Sequence, residues 1–305
     1  MGRQIDNATA LDFAIRDGQK GLKYGYGYVI SGKSPYNNYL SNDDWKRFID
    51  SMSLLHLAQY NDADGGELKE KYGRYGLNPP KMASFGSSSR LIYEYSKSIP
   101  GFCFEKQLPT KVGHTANLDG YLCCPEKDLF VEAKCREIYS SHKKQKISRV
   151  YKDVYDHIQT INPNFSYEET IIKDEPDYMA CSFLMNEKYI SHFDVKQLIC
   201  HFLGICANIL ESNANTNVRF VYLIFNPNCD TDFSGQSIKK FESKILDVYR
   251  ETLSEIECFG NFEWLFDAVM SYQSKHLGLP KPQCNFAFAR RDQTSYDLEF
   301  LKYVP

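Results

Sequence analysis

The spacing of apolar residues divides the chain into a helical first part and a middle part with the two-residue period of strands. Helical spacing runs through Trp45–Gln59 and through Ser87–Ile99, where apolar side chains collect on one side. Glycine and proline breaks separate the first 80 residues from the remainder. We therefore predict an N-terminal helical segment over residues 1–80, packed on a larger domain over residues 81–305.

Three short apolar runs that follow the second helix have the alternation and the bounding residues of β-strands. The runs are Phe102–Leu108, Asn117–Cys124 and Asp128–Arg136. Between the second and third runs, a proline followed by charged residues is typical of a tight turn. We expect these two strands to form an antiparallel hairpin.

Helical and strand patterns alternate from the hairpin to the end of the chain. They are a polar, basic helix over Lys143–Thr160, a loop rich in Asn, Pro and Glu, a buried helix over Phe193–Leu210, a strand over Val218–Phe225, helices over Ile238–Ile256 and Phe262–His276, and a strand over Cys284–Ala289. This order is typical of an α/β protein. We expect a mixed sheet flanked by helices.

An acidic residue followed two positions later by lysine occurs five times, and one occurrence differs from the others in its context. The pairs are Asp44/Lys46, Glu67/Lys69, Glu132/Lys134, Asp194/Lys196 and Glu242/Lys244. Only Glu132 and Lys134 lie on an apolar strand, where positions i and i+2 share one face. The other four pairs fit solvated charges in helices or loops. Charges on a buried strand need a partner or a purpose.

Asp119, on the preceding strand, is expected on the same face as this pair. A register that pairs Cys124 with Leu129 sets Asp119 opposite Lys134, beside Glu132. Two carboxylates and one ammonium leave an excess of negative charge. A divalent cation that prefers oxygen ligands, Mg²⁺ or Mn²⁺, would relieve it. The alternative is a salt bridge between Lys134 and one of the acids, without catalysis.

A third carboxylate near this pair has two candidate sources. Glu105 lies in the strand next to the hairpin, and Glu94 lies on the helix before that strand. We expect Glu105 to be the additional acid, with Glu94 as the alternative.

The composition is that of an ordinary globular protein. Apolar residues make up 43% and charged residues 25% of the 305 residues, and the net charge is -3. Nucleic acid would therefore have to meet a local basic patch. The 10 cysteines lack the spacing of a zinc site, the start of the chain lacks the pattern of a signal peptide, and no apolar run reaches the ~20 residues of a membrane helix. We expect a cytoplasmic protein with no membrane partner.

The arrangement of acids and lysine resembles the catalytic motif of the PD-(D/E)XK nuclease superfamily. The motif consists of Asp119, twelve intervening residues and Glu132-Ala133-Lys134. Further segments are similar to bacterial restriction-endonuclease-like proteins, namely Ser87–Arg90, Phe104–Lys106, Asn117–Gly120, Glu132–Ile138 and Phe193–Leu198. The resemblance covers about residues 87–210. Leu118 stands where the strict motif has proline.

The resemblance implies a restriction-endonuclease-like fold and a role for each residue of the motif. Asp119, Glu132, the carbonyl of Ala133 and the additional acid Glu105 would hold Mg²⁺. Lys134 would orient the attacking water and stabilise the charge that builds on the phosphate.

Two further residues take roles that the resemblance leaves open. Glu137 would orient Lys134 or bind the metal, or else is a surface acid. Gln197 would lie near the site on the helix that follows, or else is a core-facing amide.

Positive charge is concentrated just after the motif. The basic residues expected to bind DNA are Lys143, Lys144, Lys146 and Arg149. Beside a nuclease site they would contact phosphates. The alternative is a solvated helix face.

The sequence thus predicts a Mg²⁺-dependent DNA endonuclease that hydrolyses phosphodiester bonds by metal-activated water. The alternatives are a DNA-binding or scaffolding protein that keeps the fold without turnover, and an exonuclease or repair nuclease. A homodimer that cuts both strands is a further expectation left open.

Overall fold

The computed structural model describes most of the chain between residues 28 and 293. The described ranges are 28–29, 39–40, 42–62, 66–73, 76–84, 87–135, 137, 141–212, 216–225 and 236–293. None of the helices within these ranges has the length and apolar character needed to cross a membrane.

The N-terminal part combines two helices with short strand pairs. Its elements are β1 (Tyr28–Val29), β2 (Tyr39–Leu40), α1 (Asn42–Asp50), α2 (Leu54–Asp62), β3 (Lys71–Gly73) and β4 (Gly76–Asn78). Strand β1 pairs with β2, and β3 pairs with β4. The prediction of a helical segment is therefore incomplete.

The single helix predicted over Trp45–Gln59 is wrong, because two serines divide it into α1 and α2. The hydroxyl of Ser51 donates a hydrogen bond to the carbonyl of Phe48 at 2.6 Å. The hydroxyl of Ser53 accepts the N–H of His56 at 3.1 Å. Side-chain bonds of this kind compete with the helical backbone pattern, so α1 ends and α2 begins here.

The rest of the chain alternates strands and helices. The elements are α3 (Ser88–Ser96), β5 (Phe102–Pro109), β6 (Thr115–Cys124), β7 (Lys127–Lys134), β8 (Gln145–Ser148), α4 (Lys152–Ile161), β9 (Phe165–Ile171), β10 (Tyr178–Met185), β11 (Lys188–Tyr189), α5 (Val195–Ser212), β12 (Asn217–Phe225), α6 (Gln236–Cys258), α7 (Glu263–Leu277) and β13 (Asn285–Gln293).

A mixed five-stranded sheet in the order β13-β12-β7-β6-β5 occupies the centre. Strands β5, β6 and β7 are antiparallel, whereas β7, β12 and β13 are parallel. The predicted hairpin of β6 and β7 is confirmed. The protein is therefore α/β, with a mixed sheet flanked by helices, as the sequence predicts.

A second sheet, formed by β8, β9, β10 and β11, was not predicted. Its first strand occupies the start of the helix predicted over Lys143–Thr160, and the helix itself begins only at Lys152. Gln145 and Ile147 are buried while Lys146 between them is exposed, which is the period of a strand. The predicted loop after α4 is the hairpin of β9 and β10.

The central sheet separates two apolar cores. Phe48 of α1 and Tyr93 of α3 belong to one core. Phe202 of α5 and Phe266 of α7 belong to the other, with ring centroids 5.4 Å apart. Each face of the sheet is thus covered by helices, so polar groups on its strands are enclosed on both sides.

The hairpin of β5 and β6 changes sides part of the way along its length. Phe104 packs in the core of α1 and α3, whereas Leu108 packs in the core of α5 and α7. On β6, Leu122 packs in the core of α1 and α3, whereas Leu118 packs in the core of α5 and α7. Residues four apart face the same side of a regular strand, so the hairpin must twist sharply between them. Glu105, with a φ of +50°, lies at this twist.

Candidate active site

Three carboxylates lie in one row across β5, β6 and β7. The register of β5 and β6 sets Glu105 opposite Asp119. The ladder of β6 and β7, whose last pair is Gly120 with Val131, would next set Asp119 opposite Glu132. The ladder of β5 and β6 is interrupted at Glu105 and Asp119. The ladder of β6 and β7 ends before it reaches Asp119 and Glu132. The row therefore lies where the strands begin to separate.

The predicted register of the hairpin is wrong by two residues. Cys124 lies opposite Lys127 rather than Leu129, because the strands are joined by a two-residue turn. A shift of two residues keeps every side chain on its expected face. Asp119 on β6 therefore remains beside Glu132 and Lys134 on β7. It lies opposite Glu132 rather than Lys134.

Glu132 and Lys134 are buried side by side on β7, with exposed fractions of 2% and 7%. The Nζ atom of Lys134 lies 2.5 Å from Oε1 of Glu132, so the two share one face as predicted. Gln197 on α5 donates through Nε2 to the same oxygen at 3.0 Å. The other oxygen, Oε2 of Glu132, is buried and accepts no hydrogen bond. A carboxylate oxygen left in this state is unfavourable unless a cation or donor reaches it.

Lys134 is charged despite its burial. Burial is the largest single influence and by itself lowers the pKa of Lys134. The surrounding groups, Glu132 first among them, together outweigh burial and raise that pKa well above its usual range. The ammonium therefore supplies a fixed positive charge inside the site.

Asp119 adds a second carboxyl group beside Glu132. Its Oδ2 atom accepts the backbone N–H of Ala133 at 2.7 Å. Burial raises the pKa of Asp119 well above its usual range, and the charges of Glu132 and Glu105 raise it further. Mutual repulsion of this kind favours binding of a cation.

Glu105 faces the row, whereas Glu94 is engaged elsewhere. The Oε1 atom of Glu105 is buried and accepts no hydrogen bond, and Ser89 bonds to its carboxyl group. Burial and the charge of Glu67 raise the pKa of Glu105 to about 8. Glu94 instead pairs with Lys97 of the same helix at 2.6 Å.

The raised pKa of Glu105 predicts a pH-dependent stability in the absence of divalent ions. Because this pKa rises from 4.5 in the unfolded chain to about 8 in the fold, protonated Glu105 stabilises the protein fully below pH 4.5. That contribution is lost as the pH rises towards 8. Replacing Glu105 by glutamine should therefore flatten the fall in melting temperature between about pH 5 and about pH 9, measured in a chelator.

The matched control for this experiment is Glu94→Gln, which changes a glutamate that is also partly buried but is paired with lysine. It should leave the pH profile of the melting temperature as in the parent. Equal profiles for Glu105→Gln and the parent would show that Glu105 does not titrate as the site requires.

Glu137 connects the end of β7 to α3. Its Oε2 atom accepts the backbone N–H of Cys135 at 2.9 Å, and Ser88 donates to its Oε1 at 3.2 Å. Its charge also acts on Lys134. Residues 136 and 138–140 lie outside the described residues.

The N-terminal part contributes a buried glutamate, paired with a half-exposed lysine, that the sequence did not indicate. Glu67, expected to be solvated, is 5% exposed, and its Oε1 lies 2.8 Å from Nζ of Lys81. Its charge acts on Glu105. Asp44, also expected in solvent, is buried and pairs with Arg47. No local pattern marks these residues, because their burial depends on how the N-terminal part packs on the sheet.

The four basic residues predicted to bind DNA divide into two pairs. Lys146 forms an ion pair with Glu175, and Arg149 lies 2.9 Å from Glu169, so their charges are partly used within the second sheet. The other pair, which is exposed at the start of this sheet, comprises Lys143 and Lys144.

The donors present suit Mg²⁺ or Mn²⁺ better than a softer metal. Among the residues that the structure describes, no three histidine, cysteine or acidic side chains form a group that could hold a metal ion. Mg²⁺ usually keeps several waters and takes only one or two carboxylates from a protein. Asp119 and Glu132, with the orphaned Oε2 of the latter and the carbonyl of Ala133, fit that demand.

Comparison of the chain with protein-family models, with curated proteins and with solved structures finds no match.

Proposed function

We propose that this chain is a Mg²⁺-dependent DNA endonuclease of the PD-(D/E)XK class with a restriction-endonuclease-like core. The observation that carries the proposal is the buried Oε2 of Glu132, which has no hydrogen-bond partner, on a residue whose other oxygen pairs with the buried Lys134. Two acids beside one ammonium cannot both ionise without leaving a net negative charge in a place that water reaches poorly. A divalent cation would remove that unfavourable charge.

Each residue of the row has a role in this proposal. Asp119, Glu132 and the carbonyl of Ala133 would hold the ion, with Glu105 as the additional acid. When bound, Mg²⁺ would supply Lewis-acid stabilisation of the charge on a phosphate group. Lys134 would orient the attacking water and stabilise the developing negative charge, since its ammonium is fixed and desolvated.

The proposal is tested by incubating the purified protein with supercoiled plasmid and either Mg²⁺, Mn²⁺ or a chelator. Conversion to nicked and linear forms with a divalent ion, and none with the chelator, is expected. An enzyme that needs a free end would degrade linear DNA and leave the closed circle intact. This result would distinguish an exonuclease from an endonuclease.

A catalytically inactive DNA-binding or scaffolding protein is the second candidate. The observation that favours it is the short contact of Lys134 with Glu132, because a lysine held this way serves as the counter-ion of a buried acid. Under this alternative the plasmid stays intact with every metal ion, while the fold and any DNA binding remain.

The exposed lysines before β8 follow His142, which contacts the start of the helix that carries Gln197. Asp194 accepts the N–H of Gln197 at 2.9 Å, and its other oxygen lies 3.6 Å from Nδ1 of His142. Replacing Lys143 and Lys144 together by alanine should weaken DNA binding across all sequences. The slope of log K against log salt should fall by up to about 1.8, at ~0.9 per phosphate contact.

The control for this prediction is the double replacement of Lys173 and Lys188 by alanine, two exposed lysines near the turns of the same sheet. It removes the same charge and should leave the slope near that of the parent. Equal slopes for both double variants would make Lys143 and Lys144 ordinary solvated residues.

A further inference from the structure

Helix α5 presents two polar side chains, one turn apart, to the candidate site. Gln197 donates through Nε2 to Oε1 of Glu132 at 3.0 Å. His201 places its Nε2 atom 3.0 Å from the carbonyl oxygen of Asn117 and 3.7 Å from Oε2 of Glu132. The helix thus contacts both strands of the hairpin, β6 through Asn117 and β7 through Glu132.

The contact with Asn117 determines which nitrogen of His201 carries a proton. A carbonyl oxygen only accepts hydrogen bonds, so Nε2 must be the donor. The other nitrogen, Nδ1, is buried without a hydrogen-bond partner, and the residue is only 2% exposed. Its neighbours along the helix, Ile199 and Phe202, are apolar and buried. A histidine at such a position is unfavourable unless its one donor serves a purpose.

The role of the Nε2 donor of His201 follows from the position at which the backbone ladder of β6 and β7 ends. The last ladder pair of β6 and β7 is Gly120 with Val131, so the ladder does not join the strands at Asp119 and Glu132. Beyond it, the bond from Ala133 N–H to Asp119 spans the two strands. Two acids that repel one another would separate here unless something else held the strands.

We infer that Gln197 and His201 clamp the open end of the hairpin, and that His201 is a positioning residue that fixes the carboxylate of Asp119 relative to that of Glu132. His201 does so without touching Asp119, through the carbonyl two residues before it. At 3.7 Å from Oε2, its Nε2 makes no hydrogen bond to that oxygen, so the lone pairs of Oε2 remain for a cation. This inference rests on the proposed function, because the separation of the two acids matters only if they share an ion.

The test measures Mn²⁺ binding to the purified protein by calorimetry and by electron paramagnetic resonance, alongside melting temperature in a chelator. Replacing His201 by phenylalanine keeps a ring of similar size and removes the donor. Mn²⁺ affinity should fall by about 10- to 100-fold, the usual effect of losing a group that orients a ligand. The same replacement at His157, a histidine of α4 that also has a buried unpartnered ring nitrogen, is the control and should leave the affinity unchanged.

Two polar replacements keep the test valid if the phenylalanine variant folds poorly. Glutamine places its amide nitrogen near the position of Nε2 and should restore most of the Mn²⁺ affinity. Asparagine carries the same group on a shorter side chain, so it should bind as weakly as phenylalanine. If His201 has only a structural role, the glutamine and asparagine variants should both melt earlier than the parent and should bind Mn²⁺ with equal affinity.

The outcomes separate failure of the clamp from failure of the proposed function. If the parent binds no Mn²⁺, or if Asp119→Asn binds as well as the parent, the proposed metal site is wrong. If the parent binds and Asp119→Asn does not, while every His201 variant binds like the parent, the clamp alone is wrong.

Discussion

Replacing Lys134 by alanine is expected to slow plasmid cleavage by roughly 100- to 1,000-fold, equivalent to about 3–4 kcal/mol of barrier. The reason is that its buried ammonium is the only basic group of the motif, and its charge lies 2.5 Å from the acid that would hold the metal. A pre-oriented charge in a site that excludes water stabilises a transition state strongly. The measurement is the rate of nicking at saturating Mg²⁺.

The same variant also distinguishes catalysis from a buried salt bridge. Removing one member of a buried ion pair typically costs ~3–5 kcal/mol of stability. If Lys134 serves only Glu132, the alanine variant should melt much earlier with or without Mg²⁺, and the parent should cut no DNA. If the acids share a cation, Mg²⁺ should restore most of the lost stability. Lys134→Met keeps the aliphatic part of the side chain and replaces Lys134→Ala in the experiment if the alanine variant folds poorly.

Lys127→Ala provides the control, since Lys127 begins the same strand at the end away from the motif. It should leave both the cleavage rate and the response of the melting temperature to Mg²⁺ unchanged. A Lys134→Ala protein that cuts plasmid at the parental rate would remove Lys134 from the mechanism.

Replacing Asp119 by asparagine should abolish metal-dependent stabilisation together with cleavage. At a free Mg²⁺ concentration of ~100 times Kd, a bound ion stabilises the fold by about 2.7 kcal/mol. For a chain of 305 residues that is about 4 °C in melting temperature. Asparagine can still accept the N–H of Ala133, so the local fold should persist. Without the ion, the variant should melt higher than the parent, because one of two repelling charges is gone.

Asp128→Asn is the matched control for this variant. Asp128 is another buried aspartate of the same hairpin, near its turn, where it accepts the hydroxyl of Tyr121 at 3.1 Å. Its replacement should leave the Mg²⁺-dependent rise in melting temperature intact. The same rise in Asp119→Asn as in the parent would exclude Asp119 from the metal site.

The strands and helices that the sequence predicted well are those whose local pattern is strong. The hairpin of β6 and β7, the buried helix α5 and the strand β12 are apolar enough to be buried wherever the chain folds. The second sheet was missed because β8 and β9 carry polar and charged residues such as Lys146 and Glu169 on their exposed faces. Such strands exist through pairing with β10, which no local window contains.

The hairpin register shows where prediction from sequence reached its limit. The alternation of β7 was enough to place Glu132 and Lys134 on one face, and any shift by an even number of residues preserves that face. The turn length decides which residues lie opposite one another, and proline followed by charged residues fits turns of more than one length. Asp119 was therefore expected opposite the lysine and lies opposite the glutamate.

The sequence by itself determined the α/β class, the hairpin and the shared face of Glu132 and Lys134, because each follows from the period of neighbouring residues. Only the tertiary structure shows where the two candidate additional acids lie. Glu105 lies opposite Asp119, whereas Glu94 pairs with Lys97. The tertiary structure also decided the contacts of Glu67 and His201, which reach the site from elements 65 and 69 residues away from Glu132. Long-range packing brings such residues together, and no local pattern encodes it.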